Sequence, residues 1–488
     1  MSADETPDAA SSVDLRSALE RVLPALEQHL AADTSDPGAA PDAAWRALLD
    51  EPVPQKGRGA ETTLERLADP VVRHGQRMTS PGFLGWITVG PPVVPAVARL
   101  ATTLMGTQRY LGHSGNLLEE VGLRWLAEVC GLDEGVRGVF SSGGSVASLL
   151  ALGAARQAAY ERLGHDPARD GMAGLPRGRV YGSSELHHCL LKSAGVLGLG
   201  RDGVVLVDTD ARHRVDVAAL RRHLAEDVAA GIVPVAVVAI AGTTNTGAVD
   251  PVAEVADVAE EFGAWLHVDG AYGLFGRLDP EVADQFAGVE RADSVVVDPH
   301  KWLAVPTSCG ATFVRDGELL GRAFTGEPSD YIEGAFSAAE TASSPWASMG
   351  APYHEWSLEL TAPARGVVVW AALHEIGVDG LRDRVVRHNA YARRVAELAE
   401  ADERLEVRSA PELSICCFRY RRDGLDDLAL DRLNGELLRR MHAESPYVPS
   451  GTWVDGRFAI RPCFINPRTT QADVDGMVAC VRHLGDAL

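Results

Sequence analysis

From residue 135 to residue 314 the chain alternates short β-rich runs with helical patterns, and this alternation limits its fold more than any other feature. The runs lie at 135–140, 179–181, 204–207, 232–240, 265–268, 294–297 and 311–314, with helical spacing at 145–161, 186–197, 216–229 and 251–263. Most runs are apolar throughout, as expected of strands covered on both faces by helices. The pattern predicts an α/β fold with a mostly parallel, seven-stranded sheet. Ligands of such sheets bind outside the carboxyl ends of the strands. The polar residues gather there: 141–145, 243–245, Asp269 and the pair His300-Lys301 each follow a predicted strand.

The flanking regions differ in character. Residues 13–31 place Val13, Leu15, Leu19, Val22, Leu23, Leu26 and Leu30 at helical spacing, and 33–41 is a Pro, Asp, Gly and Ala-rich turn. Residues 1–92 hold too little apolar sequence for a core of their own and are expected to form a helical arm against a partner subunit. A large domain is expected over 93–367 and a smaller α+β domain over 368–488. Near the end of the large domain, 324–352 is rich in Gly, Ser, Ala and Pro, which suits a loop that covers a site.

A formal charge of −22 with no basic stripe argues against nucleic acid as a partner. Seven cysteines without a C-x-x-C pair point to reduced thiols and a cytoplasmic protein. The N-terminus shows no secretory signal, and no run of eighteen apolar residues suggests a membrane span.

The chain has three lysines against 43 arginines. Lys56 lies in a polar Gly-rich stretch, and Lys192 follows a helical pattern. Lys301 stands between the β-branched run 294–297 and further apolar sequence, in Asp298-Pro299-His300-Lys301-Trp302-Leu303. Burial there should lower its pKa, and a neutral amine attacks carbonyl carbon, which arginine does not.

Other motifs carry two meanings each. Phe140-Ser141-Ser142-Gly143-Gly144-Ser145 joins strand to helix: a phosphate cradle at a helix N-terminus, or a tight turn with a serine cap. In His267-Val268-Asp269-Gly270-Ala271-Tyr272, Asp269 is a counter-ion for a protonated ring nitrogen, or a helix cap or structural ion pair. Ala271 is small enough for a flat ring to lie on, and His267 is expected to pack or bond within the sheet. Adjacent His187 and His188 do not suit a metal, and no metal site is expected.

The order Gly-Gly-Ser, Ser-x-x-x-His, Gly-Thr-Thr-Asn-Thr-Gly, His-Val-Asp-x-Ala-Tyr and Asp-Pro-His-Lys-Trp resembles the pyridoxal-phosphate-dependent group II amino-acid decarboxylases. The likeness runs from Pro81 to Arg461. It implies fold type I, the aspartate-aminotransferase-like fold, and a homodimer with sites at the subunit interface. It assigns the internal-aldimine lysine to Lys301, the pyridinium partner to Asp269, and the two ring faces to Ala271 and His188. His188 is chosen over His187 by its spacing from Ala194-Gly195. Gly144, Ser145, His300, Asp298 and Thr244 match positions near the phosphate or elsewhere in the cofactor site. Decarboxylation would leave electron density that the ring absorbs as a quinonoid, and Tyr331 matches a loop tyrosine that protonates Cα, or else packs the closed loop. Tyrosine rather than phenylalanine there favours an amine product over an aldehyde.

The chain departs from the family in places. Only Arg365 remains of an Arg-Arg-x-Arg, as Ala362-Pro363-Ala364-Arg365, and the Ser-Pro-Ala-x-Thr-Glu stretch is replaced around His113-Ser114-Gly115-Asn116-Leu117-Leu118. Thr307 stands where aromatic-specific members often carry an aromatic. Trp86, Ile87 and Thr88 occupy the segment that shapes the side-chain pocket, and suggest an aromatic or other apolar substrate. Arg461 matches an arginine that holds the substrate carboxylate, or makes an interdomain salt bridge. Decarboxylation of an L-amino acid is therefore expected. Oxidative deamination to an aldehyde, a glutamate- or diaminobutyrate-type substrate, and a catalytically silent binding protein stand as alternatives.

Overall fold

The computed structural model describes residues 13–34, 47, 49–107, 113–325 and 353–488. The expected covering loop, with Tyr331 inside it, lies mostly outside these described residues.

Helix α1 (Leu15–Ala31) starts where the Asp14 side chain accepts from the Ser17 N–H at 3.1 Å, a capping bond for an otherwise orphaned donor. Its apolar residues are largely uncovered among the described residues: Leu15, Leu19, Leu23 and Leu26 are exposed and only Val22 is buried. A two-residue strand, β1 (Phe83–Leu84), then leads to helices α2 (Val93–Leu104) and α3 (His113–Val129).

Seven strands form the main sheet: β2 (Arg137–Ser141), β3 (Gly178–Ser183), β4 (Val204–Val207), β5 (Val233–Ile240), β6 (Trp265–Asp269), β7 (Ser294–Val297) and β8 (Gly310–Val314). Their order is β2-β8-β7-β6-β5-β3-β4, and only β8 runs antiparallel to its neighbours. Helices α4 (Gly144–Glu161), α5 (Cys189–Val196), α6 (Val217–Ala229) and α7 (Val252–Phe262) supply crossovers. No helix intervenes between β7 and β8, and without such a crossover β8 returns antiparallel. Residues 235–239 of β5 are wholly buried, as a strand covered on both faces requires.

The second sheet has five strands in the order β1-β11-β12-β10-β9, with β9 (Leu405–Ser409), β10 (Cys417–Tyr420), β11 (Val448–Val454) and β12 (Arg457–Arg461). Its edge strand β1 comes from the segment expected to be an arm, pairing Phe83 with Val448 in parallel. Helix α8 (Gly366–Glu400) breaks at Gly377, whose φ of 67° departs from helical geometry, and α9 (Asp427–Glu444) and α10 (Gln471–Ala487) complete this layer. Val395, Phe418, Leu437, Ile460 and Val478 form its own core. Among the described residues no helix is long and apolar enough to cross a membrane.

Candidate active site

Strands β2, β3, β5, β6 and β7 release the chain at one edge of the main sheet, where a cavity of about 320 Å³ opens. Its wall includes Gly144, Ser145, Thr244, Asp269, Ala271, Asp298, His300 and Lys301, which the sequence singled out from four separate motifs. It also includes Ser142, Ser148, Glu185, His187, Cys189 and Tyr272. No motif argument had selected Glu185, Cys189 or Tyr272.

Lys301 departs from its expected charge. Its Nζ lies 3.0 Å from Asp298 Oδ2, and the lysine side chain keeps 21% of its surface open toward the cavity. Burial pushes the ammonium down, but Asp298 and Asp269 together oppose it, and the balance lies above the ordinary lysine value. The lowered pKa expected from apolar sequence is therefore corrected: the strand neighbours are apolar, but two carboxylates from other strand ends face the amine.

The neighbouring chain is tightly held. Trp302 is fully buried, stacked on Tyr272 at 5.4 Å, and donates through Nε1 to His388 Nδ1 at 3.0 Å. Arg384 donates to the carbonyls of Trp302 and Leu303. Tyr272 in turn shares a 2.6 Å hydrogen bond with Ser414. These contacts fix the turn that carries Lys301 to the second layer of the molecule.

Asp269, 8% exposed, accepts from the Ala271 N–H at 3.2 Å. His267 is wholly buried beneath it and meets Ser294 Oγ at 2.9 Å through Nδ1, with burial depressing its pKa to about 4. His300 Nδ1 meets the Cys309 carbonyl at 2.7 Å, leaving Nε2 4.0 Å from Asp298.

The histidine assignment changes. His187 lines the cavity, whereas His188, the residue before α5, is exposed. Consecutive residues on a turn point different ways, so the two rings, 4.3 Å apart, do not share the cavity. The four-residue interval of the Ser-x-x-x-His motif, counted from Ser183, reaches His187 and was the better signal. Burial pushes His187 below the ordinary imidazole value, with Asp269 opposing and His188 and Lys301 adding to the depression.

Arg461 does not reach the cavity. It is 4% exposed and donates to the carbonyls of Asn245, Trp86 and Thr244 and to Ser450 Oγ. Most of its donors are thereby used, so it clamps the 244–245 loop to β11 and the 86–88 segment. Trp86, Ile87 and Thr88 do not line the cavity either. Trp86 is 58% exposed, held at a φ of 52°, and Ile87 packs against the main core. Arg365, the survivor of the arginine motif, pairs with Glu359 and donates through Nε to the Ser308 carbonyl at 2.9 Å, just before β8.

The groups fit pyridoxal phosphate. A Cβ on Gly144 would stand 2.6 Å from Asp298 Oδ2, and Gly143 has a φ of 137°, so both glycines keep backbone close to the cavity where α4 offers its first N–H groups. Among the described residues Asp298 Oδ1 is buried without a hydrogen-bond partner, an acceptor open to a donor from a ligand. Lys301 would take the cofactor's carbonyl carbon and Asp269 its ring nitrogen, with Ala271 and His187 beside the ring.

Fold and site together define a pyridoxal-phosphate enzyme of fold type I. Residues 114–421, more than half of the chain, match the model of the pyridoxal-dependent decarboxylase conserved domain, and the chain belongs to that family of carboxy-lyases. It is 29% identical to an aromatic-L-amino-acid decarboxylase of Bacillus atrophaeus over 90% of this chain and 88% of that one. It is 30% identical to an L-2,4-diaminobutyrate decarboxylase of Rhizobium meliloti, over 87% and 82%. The crystal structure of Oryza sativa TDC with PLP and tryptamine superposes with a TM-score of 0.88 at 26% identity, over 99% of both chains.

Two outcomes test this geometry. His187→Ala should lower kcat/KM by about tenfold, the worth of a ring-on-ring contact, while His188→Ala should stay within about twofold. An equal loss in both, measured as CO₂ release, would return the assignment to His188. Because Asp298 holds Lys301 charged, Asp298→Asn should move the pH midpoint of cofactor attachment downward by about one to three pH units. Following the visible absorbance of the lysine-bound cofactor against pH would show it, and an unmoved midpoint would remove Asp298 as the cause.

Proposed function

We propose that this enzyme decarboxylates an L-amino acid to the corresponding amine and CO₂, at a site completed in a homodimer. The observation that carries the proposal is the convergence of Lys301, Asp269, His187 and the Gly143-Gly144 turn on one cavity. Bound pyridoxal phosphate supplies a cationic ring that takes up the electron pair left at Cα when CO₂ departs. Asp269 would keep the ring nitrogen protonated, because a carboxylate 8% exposed strongly favours a cation beside it. His187 and Ala271 would press the ring flat from opposite faces. Lys301, freed when the substrate amine replaces it, would return to Asp298. The N-terminus of α4 would anchor the phosphate.

The proton returned to Cα is assigned to Tyr331, which lies outside the described residues; its phenol is the reason for preferring an amine over an aldehyde. The substrate is left here as an L-amino acid. The apolar preference drawn from Trp86 and Ile87 gains nothing from their placement.

The homodimer rests on apolar surface that is open among the described residues. Val93, Val97, Leu100 and Leu104 of α2 are exposed together with Leu15, Leu19, Leu23 and Leu26 of α1. Surface of this kind marks an interface rather than solvent-facing helix. A cytoplasmic location is proposed because all seven cysteines are unpaired and six are buried.

Lys301→Ala should abolish both the visible absorbance of the bound cofactor and CO₂ release. Turnover that survives this substitution would defeat the proposal. Val97→Arg should yield monomers by sedimentation, with activity falling at least about tenfold as a charge enters the apolar face. A fully active monomer would defeat the shared-site assembly.

A further inference from the structure

Glu185 is the carboxylate of the cavity wall that the proposed reaction leaves without a task. It lies two residues before His187 on the turn leaving β3, and both residues line the cavity. The other two carboxylates are committed. Asp298 meets Lys301 at 3.0 Å, and Asp269 is reserved for the ring nitrogen.

Glu185 is also held in place. Its Oε2 accepts from Asn245 Nδ2 at 2.8 Å, and Asn245 Oδ1 accepts from Thr452 Oγ1 at 2.9 Å. The Asn245 carbonyl receives Arg461 Nε at 3.0 Å. The carboxylate is thus aimed by a chain of bonds running from β11 and β12, rather than by the Gly143-Gly144 turn that Asp298 contacts. Among the described residues its Oε1 has no hydrogen-bond partner and no arginine or lysine pairs with it; His213, which faces Asp455 at 3.9 Å, is the group whose charge favours the ionised carboxylate. Burial raises the Glu185 pKa, and the Asn245 bond is the largest influence against that. A partly desolvated carboxylate with one free oxygen gains from an arriving ammonium group and repels an acidic one.

We propose that Glu185 selects the substrate by accepting a hydrogen bond from a cationic side chain, so that the cavity takes diamino acids ahead of neutral or acidic ones. This rests on the decarboxylase reading above. It replaces the apolar preference drawn from Trp86 and Ile87 with one set by a residue that does face the cavity.

The test uses the cofactor-loaded enzyme and CO₂ release from L-2,4-diaminobutyrate, ornithine, norvaline, phenylalanine and glutamate. The wild type should favour a diamino acid. In Glu185→Gln, the ratio of kcat/KM for that diamino acid over norvaline should fall by about 10- to 100-fold, mainly through KM, as expected for a charge-assisted bond. Glu185→Asp, which keeps the charge, should retain the preference. The visible absorbance of bound cofactor is read in each variant. The proposal is overturned if the wild type prefers phenylalanine or glutamate, or if Glu185→Gln slows every substrate alike. Loss of cofactor from Glu185→Gln would make the residue a cofactor ligand and overturn it too. Absence of CO₂ release from all amino acids with cofactor bound would instead bring down the decarboxylase reading, and this inference with it.

Discussion

The cavity depends on the parallel course of β2, β7, β6, β5 and β3, which brings five chain exits to one edge of the sheet. The strands are largely buried, so a polar residue within the ladder must be paired there, as His267 is with Ser294, and polar groups free to meet a ligand stand where the ladder stops. Asp269 ends β6, Asp298 follows β7, Gly143 and Gly144 follow β2, and His187 and Glu185 follow β3. Residues as far apart in the chain as Gly143 and Asp298 therefore share one small volume. Strand β8 belongs to the same design in a different way, returning antiparallel and presenting the Cys309 carbonyl to His300.

The close pair of Lys301 and Asp298 shows how that convergence rewrites local chemistry. Read along the chain, Lys301 is an amine in apolar surroundings and its charge should be disfavoured. In the fold, Asp298 and Asp269 outweigh burial and the amine stays charged. A charged amine is no nucleophile, so attachment of a carbonyl must follow loss of a proton. Trp302, stacked on Tyr272 and bonded to His388, keeps the amine-bearing turn from moving toward solvent as this happens.

The smaller layer acts mainly by holding loops. Arg461 spends its donors on three backbone carbonyls and one serine, and so joins the 244–245 loop, β11 and residue 86. Arg365 does similar work for Ser308. A buried guanidinium has five donors to satisfy, and backbone carbonyls of irregular segments are the partners at hand. Arginines that sequence comparison presents as candidate anion binders can thus be structural ties.

Much of the architecture was legible because it is periodic. The seven strands and the helices between them follow from hydrophobic spacing, and the motif order identifies Lys301, Asp269, Ala271 and the Gly143-Gly144 turn, since each lies directly beside a strand end. The sequence by itself thus determined the sheet, the edge at which the cavity opens and most of the motif residues that line it. Tertiary structure alone decided the charge of Lys301, the withdrawal of Trp86 and Arg461 from the cavity, and the exposure of Glu185 to it, and it settled which of two competing spacings, that of His187 or that of His188, reaches the cavity. The reason is physical: a strand's position follows from its own residues, whereas a side chain's charge and direction depend on groups that are distant in the chain and adjacent only after folding.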